Sequence, residues 1–274
     1  MATGAPIEHS QLAVIPGQPP PSLGTAGFWL AVGIVAVGAE IAMHHSRWRE
    51  KRHYPNTEID CMTEALPEVY LARHGNTAWT LSGQHTGLTD LPLTPGGEAN
   101  ARRLGERLKG MQFSRVFTSP LQRAARTCEL AGFGTVAETD PDLVEWNYGQ
   151  YEGLTSAQIL RQRPYWQLFR DGCPGGESPE QVGERADRVV QRLRAVAGNV
   201  LLFSSGHFIR VLTARWLGLG PGPEGRYFLL SPASLSALSY EHDLSRPVIR
   251  LWNDDHHVIS ETTQLSKQKL KAAS

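Results

Sequence analysis

Val69-Tyr70-Leu71-Ala72-Arg73-His74-Gly75-Asn76 decides how the rest of this chain is read. The apolar run Val69 to Ala72 has the length and side-chain type of a buried strand, and Arg73-His74 stands at its exit. A fixed cation beside an imidazole is an arrangement in which a ring nitrogen can attack a phosphorus centre. Alone, the Arg-His-Gly tripeptide carries little weight, because a strand ending in a polar turn explains it equally well. Its meaning depends on partners elsewhere in the chain.

Downstream the pattern alternates. Short apolar runs at Arg115 to Thr118, Val200 to Ser204, Leu235 to Tyr240 and Val248 to Leu251 read as further strands. Between them, Gly97 to Leu108, Pro120 to Leu130, Pro179 to Val196 and Phe208 to Leu217 carry apolar residues at helical spacing. Ser119-Pro120 and Ser178-Pro179-Glu180-Gln181 read as helix starts, the second with a capping-box Gln. Strands alternating with helices predict an α/β fold, a three-layer α/β/α sandwich on a mostly parallel central sheet, with ligands at the carboxyl ends of the strands.

The chain of 274 residues has 27 Lys plus Arg against 27 Asp plus Glu. No bulk field argues for nucleic acid or an acidic membrane, so attraction for an anion must come from local arrangement. Cys61, Cys128 and Cys173 form no C-x-x-C pair and fit reduced thiols of a cytoplasmic protein. Residues 1–66 read as an extension outside the catalytic pattern, Pro- and Gly-rich and expected to be disordered at first. About residues 23–43 an apolar, uncharged stretch resembles a transmembrane segment slightly short of a span, and Arg47, Arg49, Lys51 and Arg52 after it would keep the downstream domain cytoplasmic. A membrane anchor, a loose extension, and upstream sequence before a start at Met62 are three open readings. A domain over 67–255 and a tail over 256–274 complete the division.

Two candidate partners for His74 follow from position. Arg123 lies one turn beyond Ser119, where a helix leaves a strand end and its amides can face an anion. Glu145, in Glu145-Trp146-Asn147-Tyr148-Gly149, sits among aromatic side chains, and desolvation there would let a carboxyl stay protonated as a general acid. Asp142 and Glu152 read as solvated loop charges. His256-His257 reads as solvent-facing rather than metal-binding, since adjacent side chains diverge, and Gly172 to Gly176 reads as a flexible connection.

Taken together, Leu71 to Thr77, Gly83-Gln84-His85-Thr86-Gly87-Leu88-Thr89-Asp90-Leu91-Pro92-Leu93-Thr94, Ser119 to Thr127, Glu145 to Gly149 and Gly175-Gly176-Glu177-Ser178 resemble the histidine phosphatase superfamily, the phosphoglycerate mutase-like group. The likeness is greatest to bacterial acid phosphatases and sedoheptulose bisphosphatases of that group. It implies a metal- and cofactor-independent phosphomonoester hydrolase, with His74 as the nucleophile that becomes phosphohistidine, Arg73 and Arg123 on the phosphoryl oxygens, and Glu145 as proton donor. Asn76, Thr77, Thr86, Gly87, Ser119, Tyr148, Ser205, His207 and Arg210 match substrate-contacting positions. The implied partner is a small phosphorylated substrate of the sugar-phosphate kind, not nucleic acid; a homodimer is an open option.

One departure concerns Phe203-Ser204-Ser205-Gly206-His207. The family places a second pocket histidine before this glycine, where the chain has Ser205. A hydroxyl brings one hydrogen bond and no charge, which predicts reduced activity. The alternatives are a pseudo-phosphatase that only binds a phosphorylated ligand, and a phosphoglycerate mutase. The latter is disfavoured because the chain passes from Gly153 to Gly175 without the basic insertion of those relatives.

Overall fold

The computed structural model describes residues 66–220 and 223–260. In chain order they form β1 (Val69–Arg73), α1 (Ala78–Ser82), α2 (Pro95–Leu108), β2 (Arg115–Thr118), α3 (Gln122–Leu130), β3 (Ala137–Thr139), α4 (Ser156–Gln162), α5 (Leu168–Asp171), α6 (Pro179–Arg194), β4 (Val200–Ser204), α7 (Gly206–Trp216), β5 (Leu235–Tyr240) and β6 (Pro247–Asp254). One six-stranded sheet has the order β3-β2-β4-β1-β5-β6. β1, β2, β3 and β4 run parallel, and β5 alone is reversed, pairing antiparallel with both β1 and β6.

Alternation along the central strands sends side chains to two cores. Leu71 and Leu202 join Val189 and Leu193 of α6 and Phe208 and Leu212 of α7. Ala72, Leu201 and Phe203 join Leu104 and Leu108 of α2 and Cys128 of α3 on the opposite face. This is the expected three-layer sandwich. The buried thiols of Cys128 and Cys173 are free, and burial pushes both up to about 12.

Most helix starts follow from local chemistry. Thr77 caps α1 and Ser178 caps α6, each in a capping box. α3 differs from the sequence reading: it begins at Gln122, not Pro120, and has no cap from its own chain neighbours. Ser119 Oγ accepts from Leu121 N, and the Asp90 carboxylate accepts from Gln122 N at 2.8 Å. A distant loop thus supplies the cap that the sequence assigned to Ser119.

The β1–β4 register pairs Arg73 with Ser204, so His74 and Ser205 leave the sheet side by side. Ser119 follows β2 at the same end. Just past β1 the backbone meets α2 at closest range: a Cβ on Gly97 would lie 2.3 Å from Asn76 O, and one on Gly75 would lie 2.6 Å from Gly97 O. Among the described residues no helix is long and apolar enough to cross a membrane; the stretch at 23–43 and the start at Met62 lie outside the described residues.

The backbone contact at Gly97 gives a direct test. Gly97→Ala must push Asn76 and the turn after His74 away from α2, and urea unfolding is expected to show a loss of about 2 kcal/mol.

Candidate active site

His74 is 3% exposed, and its ring Nδ1 lies 2.7 Å from its neighbour Gly75's carbonyl oxygen. A carbonyl only accepts, so Nδ1 carries the hydrogen and the lone pair of the neutral ring is on Nε2. Burial, then the charges of Arg123 and Arg73, hold the imidazole's pKa well below its ordinary value. The backbone is pinned as well: His74 N donates to Ser204 O, His74 O accepts from Ala233 N, and Gly75 N donates to Thr127 Oγ1. The ring is a neutral imidazole in a fixed place, with one nitrogen lone pair free.

Two guanidinium groups flank it. Arg123 is 0% exposed; its Nη1 donates to Thr89 O and its Nη2 to Thr86 O and Gly87 O. Arg73 donates through Nη1 to Leu230 O. In both, Nε is buried without a partner. Burial lowers both pKa values, and the Glu145 charge opposes that shift. Gly206 makes room for Arg73, since a Cβ there would stand 3.0 Å from its Nε and Cζ.

Glu145 is buried, but its carboxylate is occupied. Oε1 accepts from Trp146 N at 2.9 Å and Phe208 N at 2.8 Å, and Oε2 accepts from His207 N at 3.0 Å. Glu145 therefore caps α7, although Ser205 is the N-cap residue and makes no side-chain cap bond. Relieved of that duty, Ser205 Oγ is a third buried polar atom without a partner.

Other residues singled out from the sequence divide by what their polar atoms already do. Tyr148 and His207 share a hydrogen bond of 2.5 Å between the phenol oxygen and Nδ1. His85 closes this group, its ring centroid 4.8 Å from that of Tyr148 and 5.9 Å from that of His207. Burial pushes the Tyr148 phenol well up, with the Glu145 charge adding, and the His207 imidazole well down, with Arg210, His85 and Arg73 adding. Arg210 donates to Gly225 O and Arg226 O and stacks 4.5 Å over Phe169; burial brings it down to about 10. The Thr77 hydroxyl is taken by the α1 cap, and Ser119 by Leu121 N. Asn76 uses its backbone oxygen for Thr94 N, and Thr86 lends its carbonyl to Arg123.

Residues 69–255 match the model of the histidine phosphatase superfamily, branch 1. The chain belongs to that superfamily. An acid phosphatase of Mycobacterium tuberculosis is 42% identical over 178 residues, 64% of this chain and 87% of the relative. Sedoheptulose 1,7-bisphosphatase of Saccharomyces cerevisiae is 37% identical over 192 residues, 58% of this chain and 70% of the relative. A solved structure of a Mycobacterium tuberculosis open reading frame superposes with a TM-score of 0.65 at 38% identity, covering 68% of this chain and 97% of that one. Both curated relatives named here are phosphatases.

Sequence reasoning missed three residues that hold this phosphatase site in shape. Glu152, read as a solvated charge, accepts from Gly87 N at 2.8 Å and Thr89 N at 3.1 Å, fixing the turn whose carbonyls hold Arg123. Arg185 donates to the carbonyls of Asp142, Val144 and Glu145 and forms a two-bond ion pair with Glu177. Glu177 in turn accepts from Asn147 N and, through its carbonyl, from Trp146 Nε1. The Gly-Gly-Glu-Ser run thus braces the Glu145 segment; Arg185 had no signal beyond its place on a helix.

Depressed histidines set a sign for pH dependence. His74 and His207 stay neutral in the folded phosphatase while the unfolded chain takes up protons near pH ~6.5. Burial pushes His85 down to about 4, so its contribution to stability is full above pH ~6.5 and is lost as pH falls towards 4. Imidazole NMR of the folded chain is expected to show no titration of His74 or His207 between about pH 5 and 8, with His74 fixed as the Nδ1–H tautomer.

Proposed function

We propose that this chain hydrolyses a small phosphomonoester, of the sugar-phosphate kind, through a phosphohistidine on His74, without a metal ion or cofactor. The observation that carries the reading is the bond from His74 Nδ1 to the Gly75 carbonyl, which leaves Nε2 free beside two buried guanidinium groups. In the first half-reaction the Nε2 lone pair forms the N–P bond and the P–O bond to the leaving group breaks. Arg73 and Arg123 each bring an unpartnered Nε–H to the equatorial oxygens, where transition-state charge collects. Glu145, in its protonated form, gives the departing alkoxide its proton.

In the second half-reaction water attacks phosphorus, Glu145 as carboxylate takes the water's proton, and the P–N bond breaks to release phosphate. The three amides on Glu145 support this carboxylate stage. Asn76, Thr86, Gly87, Tyr148, His207 and Arg210 are assigned to the leaving-group side. Ser205 Oγ is assigned a neutral hydrogen bond to a phosphoryl oxygen, in place of the charged one a histidine would give. Losing that charge costs about 2 kcal/mol of transition-state stabilisation.

Steady-state hydrolysis of an aryl phosphate in the presence of chelator tests the reading. Turnover is expected in the parent, none in His74→Ala, and a rise of about thirtyfold in kcat for Ser205→His. Turnover that chelator abolishes would overturn the metal-independent mechanism. An inactive parent beside an active Ser205→His would instead mark the native chain as a module that binds phosphorylated ligands.

A further inference from the structure

The segment Leu230 to Ser234 lies directly behind the catalytic pair. Ala233 N donates to His74 O at 3.0 Å, Arg73 N donates to Ser234 O at 3.1 Å, and Arg73 Nη1 donates to Leu230 O. Three bonds from five residues therefore fix the depth of the nucleophile and the reach of its neighbouring cation. Yet the segment is strained. Ala233 is buried with φ 58°, a left-handed conformation in which an L side chain costs roughly 1–2 kcal/mol. Such a conformation persists only where surrounding contacts over-determine it.

Those contacts come from the end of the domain, at every second residue. Trp252 Nε1 donates to Leu229 O at 2.7 Å, Asn253 Oδ1 accepts from Ser231 N at 2.6 Å, and His257 Nε2 lies 2.8 Å from Ala233 O. Farther on, Asn100 of α2 and Ile259 exchange two hydrogen bonds of 3.0 Å, which tie the chain down beyond His257. His256 faces solvent as its sequence suggested, but His257 does not: its Nδ1 is buried and has no partner. With the Ala233 carbonyl as acceptor, the hydrogen sits on Nε2 and the bare lone pair on Nδ1. Nothing in the phosphoryl chemistry uses this imidazole.

We propose that His257 is a positioning residue for His74. By holding the Ala233 carbonyl it maintains the left-handed turn, and the Ala233 amide then presents the correct hydrogen bond to the back of the nucleophile. The role rests on the phosphohistidine reading for its effect on rate, but the clamp itself is a structural claim. A displacement of the attacking nitrogen by a fraction of an ångström affects the chemical step more than binding, because the phosphate grip of Arg123 is built from other carbonyls and Arg73 is held through Leu230 O rather than the Ala233 carbonyl.

The test compares the full chain with His257→Ala, His257→Gln and His256→Ala, measuring kcat and KM on an aryl phosphate together with backbone amide exchange by NMR. In His257→Ala, kcat is expected to fall about tenfold or more with KM within about twofold, and the Ala233 amide to lose its protection from exchange. His257→Gln, which keeps an amide donor at similar reach, is expected to recover most of both, and His256→Ala to change neither. Unchanged kcat, a loss that only tracks the folded fraction, or an Ala233 amide that stays protected would overturn the proposal. If the parent shows no turnover, the phosphohistidine reading fails, and the exchange of the Ala233 amide then decides the clamp by itself.

Discussion

One hydrogen bond, from the Nδ1 of His74 to the carbonyl oxygen of Gly75, sets what the rest of the site must do. It selects the nitrogen that is free, and it requires that the Gly75 carbonyl be held in line with the ring. That in turn explains the backbone contact between the turn after β1 and the start of α2. A side chain at Gly75 or Gly97 would force the two apart, and the tautomer would lose its anchor. The parallel register of β1 and β4 adds the second half of the constraint, since it sets His74 beside Ser205 and leaves the Arg73 guanidinium lying against Gly206.

Burial gives these groups their character and also their risk. A buried imidazole between two cations is disfavoured in its charged form, which suits a nucleophile. The cations themselves lose hydration, and the structure offsets this with Glu145 and with backbone carbonyls. Glu145 is consequently shared between two tasks: it neutralises the guanidinium pair and it caps α7. That second task is why Ser205, a good capping residue type, makes no cap bond and is left with an unpartnered hydroxyl among the other unpartnered donors.

The central architecture was legible because its signals are local. β4 is an apolar run buried on both faces, β1 is largely buried and β2 buries Val116 and Thr118, and the Ser178 capping box marks the start of α6 as its sequence indicates. β3 escaped notice because it is three residues, Ala137–Thr139, on a sheet edge with no buried side chain. The start of α3 was misplaced because its capping acceptor, Asp90, is 32 residues away. Glu152 was misread for the same reason, its partners lying 63 and 65 residues upstream. Arg123 and Glu145 could be named as site residues, but not the carbonyls and amides that occupy them, since only folding brings those together.

Those occupants point to how the anion site is made. Arg123 and Arg185 each make three hydrogen bonds to backbone carbonyls, Arg210 makes two and Arg73 gives one to Leu230. These bonds fix loops that carry other members of the site: Arg123 holds Thr86 to Thr89, Arg185 holds the Glu145 segment, and Arg73 holds the turn at Leu230 to Ser234. Among the described residues, Arg73 Nε, Arg123 Nε and the Ser205 hydroxyl are the polar atoms buried at the site without a partner. Because each guanidinium proposed to meet the phosphoryl group also fixes a loop, removing either arginine would disturb geometry as well as charge. What the scaffold leaves unpaired at this buried cluster is thus two charged N–H donors and one neutral donor, the Ser205 hydroxyl.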